Sequence, residues 1–240
     1  PCLTWIRFDP LAVLSVRLWT RKAKEGVTMA SSMASAENRA VRWGVAVDLK
    51  RCVGCQSCTM ACKAENATPP GVFWTRVIEK EEGTYPFAYT VFMHLRCNHC
   101  SEPPCVPVCP TGASHQRDQD NIVLVDQDIC VGCHACVVAC PYEARAIPDD
   151  ARGYYGKHLT PYEEAGFKKW QAGTAQKCTL CVDRLDRGLQ PVCIETCPPR
   201  ALVIGDLNDP KSEISTLIGQ RPRFQPRVEL GAEPNVFYLT

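Results

Sequence analysis

Residues Cys130–Pro141 read Cys-Val-Gly-Cys-His-Ala-Cys-Val-Val-Ala-Cys-Pro, and the remaining chain is arranged around segments of this kind. The four cysteines follow the spacing C-x2-C-x2-C-x3-C-P, which is typical of loops that ligate cubane 4Fe-4S clusters. The first three thiolates surround one cube, whereas the fourth lies on the following helix and ligates a neighbouring cluster. The segment therefore predicts a pair of clusters.

Three further groups of four cysteines flank this segment. The first has the same spacing, the second widens the middle gap to four residues, and the last widens it to eleven. Three quartets end in Cys-Pro, whereas the first ends in Cys62-Lys63. Of the 17 cysteines, only Cys2 lies outside the quartets. In chain order, the quartets are Cys52, Cys55, Cys58 and Cys62; Cys97, Cys100, Cys105 and Cys109; Cys130, Cys133, Cys136 and Cys140; and Cys178, Cys181, Cys193 and Cys197.

Disulfides and zinc are the two other uses of cysteine that this pattern allows. Disulfides suit a secreted chain, but C-x-x-C pairs in every quartet make poor disulfide staples over a chain of this length. Paired C-x-x-C motifs also suit structural zinc. Because a tetrahedral zinc site does not need the triple C-x2-C-x2-C, the set as a whole favours iron–sulfur clusters.

Connection length predicts which quartets pair. The second and third quartets are separated by 20 residues, whereas the flanking connections have 34 and 37 residues. Short connections usually join neighbours in space, so quartets two and three should form an inner unit and quartets one and four an outer unit. With crossed ligation, the expected sets are Cys52, Cys55, Cys58 and Cys197 for cluster 1; Cys62, Cys178, Cys181 and Cys193 for cluster 2; Cys97, Cys100, Cys105 and Cys140 for cluster 3; and Cys109, Cys130, Cys133 and Cys136 for cluster 4.

The repeated quartets predict an α+β fold of two nested ferredoxin-like units, each with two 4Fe-4S clusters, with a β-hairpin insertion and an extended C-terminal tail. The extension over 1–40 has no cofactor motif, and we expect it to be a linker or sequence upstream of a start at Met29 or Met33. A partner-wrapping arm is the alternative. The other predicted parts are an outer unit of 41–96 plus 178–205, an inner unit of 97–141, an insertion of 142–177 and a C-terminal helix and tail of 206–240.

Local patterns predict the elements that carry the quartets. Gly54 and Gly132 occupy the same position in two quartets, where a missing side chain lets backbone amides approach cluster sulfur or simply makes a turn. The aromatic residues of 142–177 favour contact with a partner protein. The predicted elements are strands over Trp43–Asp48, Ile122–Val125 and Ala201–Gly205, a helix over Thr59–Asn66, a hairpin of Val72–Glu79 and Phe87–Leu95, a helix capped at Asp209-Pro210 and stopped by Gly219, and a docking segment Val236–Leu239.

The charge and composition of the chain bear on its cofactor and argue against nucleic-acid binding. The formal charge of +1 becomes about −7 once four anionic clusters are bound. Because clusters fill much of the interior, we expect the apo protein to be largely disordered. No basic block with interleaved aromatics indicates nucleic-acid binding. Basic residues next to the quartets should offset cluster charge and tune potentials, with a solvated surface role as the alternative; they are Lys50, Arg51, Lys63, Arg96, Lys177, Arg184 and Arg200.

The sequence offers no independent catalytic site. None of the five histidines belongs to a metal-ligand or nucleophile pattern, although His99 and His134 lie inside quartets, where structural roles or contacts with the cluster surroundings are expected. Complete cysteine ligation leaves no open iron for a small-molecule substrate. The quartets therefore indicate electron transfer. No run of 18 apolar residues occurs, so we expect attachment to a membrane, and export, to depend on a partner.

The order of the four spacings and several short motifs resemble the four-cluster iron–sulfur subunits of molybdopterin oxidoreductases of the dimethyl sulfoxide reductase family, most of all the polysulfide reductase type. The resemblance covers about residues 42–240 and is carried, beside the quartets, by Val47-Asp48, Cys52-Val-Gly-Cys55, Pro70-Gly-Val-Phe73, Cys105-Val-Pro-Val-Cys-Pro-Thr-Gly-Ala113, Lys177-Cys-Thr-Leu-Cys181, Arg184-Leu185, Gly205-Asp-Leu207 and Phe237-Tyr-Leu239.

The resemblance implies four 4Fe-4S clusters in an electron-transfer subunit. Its partners would be a large catalytic subunit with molybdenum on a bis-guanine-dinucleotide pterin and an integral membrane subunit that reacts with quinone. The outer cluster pair would face the catalytic subunit, and polysulfide, thiosulfate, tetrathionate, arsenate or sulfite would be the substrate of the complex. The location implied is the membrane periphery, on the extracytoplasmic face after partner-carried export. The alternatives are a polyferredoxin or hydrogenase partner and, more remotely, a zinc-stapled interaction module.

Overall fold

Short strands and helices connect the cysteine loops. The computed structural model describes residues 40–240, so the predictions for Cys2 and for the extension before Ala40 lie outside the described residues. The helices within this range are α1 Ser57–Asn66, α2 Ala135–Val138, α3 Pro161–Gly166, α4 Val182–Leu185, α5 Val192–Glu195 and α6 Glu213–Gln220. The strands are β1 Trp43–Asp48, β2 Thr75–Glu82, β3 Tyr89–Arg96, β4 Ser114–Gln116, β5 Val123–Val125, β6 Arg145–Ala146, β7 Gln176–Lys177, β8 Leu202–Asp206, β9 Arg223–Phe224 and β10 Val236–Leu239.

The strand before the first quartet lies inside a four-stranded sheet of order β8-β1-β10-β9. β1 pairs antiparallel with β8 and parallel with β10. Alternate side chains of a strand face opposite sides of the sheet. Val45 and Val47 join the core that contains Cys58, whereas Ala46 packs with Ile214 of α6. The predicted strand β1 and the docking of the C-terminal segment are confirmed.

β2 and β3 form the predicted hairpin, with eight aligned residue pairs. Both strands begin later than the predicted ranges Val72–Glu79 and Phe87–Leu95. Turns occupy the preceding residues, since the amide of Val72 donates to the carbonyl of Pro69 at 3.1 Å and the amide of Phe87 to that of Thr84 at 2.7 Å. The strand expected near residues 122–125 and the one near 201–205 are confirmed as β5 and β8.

Helix α1 carries two cysteines of the first quartet. Cys58 and Cys62 are four residues apart and therefore lie on one face of the helix. That face is buried, and α1 packs against α5, which carries Cys193. The predicted helix is confirmed, although it begins at Ser57 instead of Thr59. This packing joins the first quartet to the fourth.

The start of α6 differs from the prediction. Its N-cap is Ser212, whose hydroxyl accepts from the amide of Ser215 at 3.2 Å, and not Asp209. The Asp209 side chain instead accepts from the amide of Lys211 at 2.9 Å and closes a turn before the helix. Gly219 lies within the helix, which ends at Gln220, so the predicted stop is also wrong.

The insertion over 142–177 packs on the end of α1. Trp170 is buried, and its indole N–H donates to the carbonyl of Ala67 at 3.0 Å. The hydroxyl of Tyr162 donates to the carbonyl of Ala64. A capping box between Thr160 and Glu163 begins α3. Part of the aromatic content thus serves the chain's own packing, and partner contact by the insertion stays a prediction.

The described residues belong to one compact unit, and the predicted domain boundaries stay a prediction. Within residues 40–240, no helix has the length and apolar character needed to cross a membrane.

Candidate iron–sulfur cluster sites

All four cysteine loops share one backbone feature. The residue just before the second cysteine of each quartet has a positive φ, which is 68° at Gly54, 42° at His99, 64° at Gly132 and 59° at Leu180. His99 and Leu180 adopt this conformation although their side chains disfavour it. Left-handed residues in such loops turn successive N–H groups into a concavity that binds anions, iron–sulfur clusters included. In the sequence, only Gly54 and Gly132 indicate a positive φ, because glycine adopts this conformation freely.

The glycines are also required by close packing. A Cβ at Gly132 would lie 2.2 Å from the carbonyl oxygen of Gly173, and one at Gly54 would lie 2.4 Å from the ring of Phe92. Real Cβ atoms do not approach other heavy atoms this closely. The first and third loops are thus held against the hairpin and against residue 173, respectively.

The four cysteines expected at cluster 1 line one cavity. The cavity is also lined by His94 and Gln56; the cysteines are Cys52, Cys55, Cys58 and Cys197. Burial raises the pKa of Cys52, and the neighbouring Cys197 and Cys55 raise it further. The amide of Ala201 donates to the Cys197 sulfur at 3.3 Å. The fold therefore brings three cysteines of the first quartet next to the last cysteine of the fourth.

The cysteines expected at cluster 2 lie deeper. Burial raises the pKa of Cys62, and the nearby Cys178, Cys193 and Cys181 raise it further. Three of these thiols are buried and Cys181 is half-buried. Burial also raises the pKa of Cys193 to about 11, and Cys58 is among its neighbours. The first and second sets are therefore adjacent.

The third set is likewise drawn together. Burial raises the pKa of Cys100, and the nearby Cys97, Cys105 and Cys140 raise it further. These residues come from two quartets, the second and the third. Cys97, Cys100 and Cys105 are buried, and Cys140 is half-buried.

The fourth set lies closer to the surface. Burial raises the pKa of Cys136, and both Cys105 of the third set and Cys130 of its own set contribute. The sulfur of Cys109 accepts from the amide of Ser114 at 3.4 Å. Cys109 and Cys130 are half-buried, and Cys133 is exposed.

Two buried arginines point at cysteine sulfur. Arg96 donates to the sulfur of Cys178 at 3.1 Å and to that of Cys193 at 3.7 Å, and Arg145 donates to the sulfur of Cys105 at 3.0 Å. Among the described residues neither arginine pairs with a carboxylate, and Arg96 Nε and Arg145 Nη1 have no hydrogen-bond partner. Buried cations are costly without compensating negative charge. An anionic 4Fe-4S cluster supplies that charge, so these surroundings fit the cofactor.

The thiol geometry suits clusters better than single metal ions. All sixteen quartet cysteines are free. Within the described part of the chain, no three Cys, His, Asp or Glu side chains converge on a single ion. In a cubane each thiolate binds its own iron, so the sulfurs are spread around the cube, whereas zinc ligands lie about 2.0–2.3 Å from one ion.

The other basic and histidine residues have varied surroundings. Lys177 is buried, and its ammonium donates to the carbonyl of Cys178 at 2.7 Å; its role in offsetting cluster charge stays a prediction. Lys63 instead donates to main-chain carbonyls, including that of Val72 at 2.9 Å. His99 is buried, and its Nδ1 accepts from the amide of Val123 at 3.2 Å, whereas His134 is exposed. Arg145, which lies beside the cluster sites, was not among the basic residues noticed in the sequence, since five positions separate it from Cys140.

Comparisons with known proteins agree with this chemistry. Two families described as 4Fe-4S dicluster domains match, one over residues 88–157 and 155–207 and the other over residues 51–113. A subunit of the selenate reductase of Mesobacillus selenatarsenatis is 43% identical over 215 residues, covering 83% of this chain and 72% of that protein. The chain belongs to the iron–sulfur subunit family of molybdopterin oxidoreductases.

Two further members of this family show how broad it is. The iron–sulfur subunit ArrB of the arsenate respiratory reductase of a Shewanella species is 40% identical, covering 83% of this chain and 96% of that subunit. A subunit of the tetrathionate reductase of Salmonella typhimurium is 44% identical, covering 82% of this chain and 72% of that protein. This iron–sulfur subunit therefore carries 4Fe-4S clusters and functions in electron transfer.

Proposed function

We propose that this iron–sulfur subunit relays electrons through four 4Fe-4S clusters, held by the crossed ligand sets expected from the sequence. Each bound cluster supplies a one-electron centre. The main support is the cavity that Cys197 shares with three cysteines of the first quartet, although Cys197 is far away in the sequence. The second set is supported in the same way, because Cys178, Cys193 and Cys181 all raise the pKa of Cys62.

The sets follow one another in a line. Cys193 of the second set neighbours Cys58 of the first. Arg96 contacts two cysteines of the second set and immediately precedes Cys97 of the third. Cys136 of the fourth set neighbours Cys105 of the third. The order of the relay is then cluster 1, 2, 3 and 4.

The two ends of this line reach the surface. Cys55 of cluster 1 and Cys133 of cluster 4 are exposed. Exposed apolar side chains lie beside both in sequence, namely Val53 and Met60 near the first and Val131 and Val138 near the second. Electrons enter at one such end and leave at the other.

The names of the relatives indicate the partners. They are subunits of selenate, arsenate and tetrathionate reductases. By analogy, a large molybdopterin catalytic subunit covers the cluster 1 end, and an integral membrane subunit that reacts with quinone covers the cluster 4 end. The chain is then a peripheral membrane protein, held on the extracytoplasmic face by its partners after partner-carried export. It has no small-molecule substrate of its own and binds no nucleic acid.

Paired cysteine substitutions test the ligand sets. Cys52→Ser and Cys197→Ser should alter the same EPR signal of the anaerobically purified protein, because both residues bind cluster 1. Cys97→Ser with Cys140→Ser, and Cys109→Ser with Cys136→Ser, assign clusters 3 and 4 in the same way. Cys2→Ser is the matched control and should alter none. Different signals from the two members of a pair refute that set.

Co-purification tests the partners. A tagged chain that is expressed together with the products of its neighbouring genes should co-purify with a large subunit that contains molybdenum and with a membrane subunit. A stable monomer with full iron content and no such partners would instead favour a free polyferredoxin. A colourless, iron-free protein would point to zinc and contradict the relay as a whole.

A further inference from the structure

Arg145, the second buried arginine at the cluster sites, lies beside cysteines of two ligand sets. Arg145 is 7% exposed, and its Nη2 donates to the sulfur of Cys105 at 3.0 Å and contacts the hydroxyl of Ser114 at 2.6 Å. Cys105 belongs to the set of cluster 3. The same guanidinium lies beside Cys136 of cluster 4, where its charge and hydrogen bond oppose the rise in pKa that burial causes.

In the part of the chain that the structure describes, no carboxylate compensates the charge of Arg145. The Nη1 atom of Arg145 has no hydrogen-bond partner among the described residues. Its cross-strand neighbour in the β6–β7 ladder is Lys177, which is also buried. Like charges directly opposite each other destabilise a sheet. Within residues 40–240, the anionic charge that acts on this guanidinium comes from cysteines of the proposed ligand sets, namely Cys105, Cys136 and Cys97.

We propose that Arg145 sets the reduction potentials of clusters 3 and 4 by placing one buried positive charge between them. The inference rests on the ligand sets proposed above. When a cluster accepts one electron from its neighbour in the relay, its negative charge grows by one and no bond forms or breaks. A buried cation stabilises the reduced form more than the oxidised form, and it is poorly screened by solvent. Arg145 therefore favours electron residence on the inner clusters.

The experiment is an EPR-monitored redox titration of the anaerobically purified holoprotein, together with its iron content. In Arg145→Gln, the equilibrium constant for one-electron reduction of clusters 3 and 4 should fall at least tenfold, which corresponds to potentials lower by about 59 mV. Clusters 1 and 2 should change much less. Arg187→Gln removes the charge of an exposed arginine and should shift no cluster. Arg145→Lys keeps the positive charge, so the potentials of clusters 3 and 4 in this variant should lie close to those of the wild-type protein.

Each of the other possible results either overturns or supports the proposal. Fully loaded Arg145→Gln protein with unchanged potentials, or with all four shifted equally, overturns it. So does Arg145→Lys if it lowers the potentials as much as the neutral variant. If Arg145→Gln fails to bind iron, a loaded Arg145→Lys protein with wild-type potentials supports the role of charge, whereas loss of iron from both variants makes the residue purely structural. If the paired cysteine variants contradict the ligand sets, the proposed function fails too; if they agree, only this inference is at stake.

Discussion

Gly132→Ala is the sharpest test of how the third cysteine loop is held. The loop residue has a φ of 64°, and an added Cβ would lie 2.2 Å from the carbonyl oxygen of Gly173. That oxygen belongs to the backbone, so a side-chain rotation cannot relieve the contact. The amide of Ala175, two residues further on, donates to the sulfur of Cys130 at 3.4 Å. Moving this segment away therefore also loosens a cluster ligand.

The expected loss of unfolding free energy in Gly132→Ala has two parts. A left-handed conformation costs an L-residue about 1–2 kcal/mol, and overpacking costs about 1–3 kcal/mol. Gly112→Ala separates them, because Gly112 has a φ of 72° but no atom within 4 Å of its added Cβ. Gly132→Ala should therefore cost about 2–5 kcal/mol, and Gly112→Ala only the first part. For a chain of this size, 1 kcal/mol shifts the melting temperature by about 2–4 °C.

Thermal unfolding of both anaerobic holoproteins, at one heating rate, measures the difference, and iron analysis shows whether the loop still binds its cluster. We expect Gly132→Ala to melt well below Gly112→Ala and to lose iron preferentially from cluster 4. If the two variants melt together, the close approach to Gly173 does not constrain the loop, and the reasoning is refuted.

Three other predictions concern contacts between distant parts of the chain. Tyr238→Phe leaves a buried carbonyl of β3 without its 2.9 Å hydrogen bond and should cost about 1–3 kcal/mol in thermal unfolding; an unchanged melting temperature would contradict this. Trp170→Phe removes the 3.0 Å bond to the end of α1 and should speed proteolysis of the insertion 142–177 without changing the EPR spectra. Burial raises the pKa of Asp48, but the hydrogen bond and the charge of Arg221 outweigh burial and hold this pKa below its ordinary 3.8. The ion pair therefore stabilises the fold above pH 3.8, and this contribution is lost as the pH falls through the folded pKa. Asp48→Asn should flatten acid unfolding below pH 4, whereas Asp150→Asn, at an exposed pair, should not.

The elements and the chemistry of the loops could be predicted because their signals are local. Strand β1 shows the alternation of a sheet with two different faces, and α1 places Cys58 and Cys62 four residues apart. The quartet spacing predicts the cofactor because it reflects the shape of the cube. Element ends were less predictable, as at α6, where Asp209 and Ser212 both suit an N-cap and only the turn geometry selects the second.

The environment of the clusters could not be predicted in the same way. Arg145 reaches Cys105, which is 40 positions earlier, through a ladder of only two residue pairs between β6 and β7. Ladders this short leave no alternating pattern in the sequence. His99 and Leu180 take the conformation that glycine takes in the other loops, but neither residue type signals a positive φ. These features depend on the assembled structure.

The tail shows why the loops and the outer sheet form one folding unit. Asn235 donates from its side chain to the carbonyl of His99 at 2.6 Å and from its backbone amide to the carbonyl of Asn98 at 3.1 Å. Arg42, which precedes β1, donates to the side-chain oxygen of Asn235 at 2.8 Å. One residue near the C-terminus therefore holds the second cysteine loop and the start of the sheet together. Because β10 also lies between β1 and β9, the sheet that leads into the first cysteine loop is complete only when the last residues are in place. The geometry of the inner and the outer loops is thus fixed by a segment that contains no cysteine.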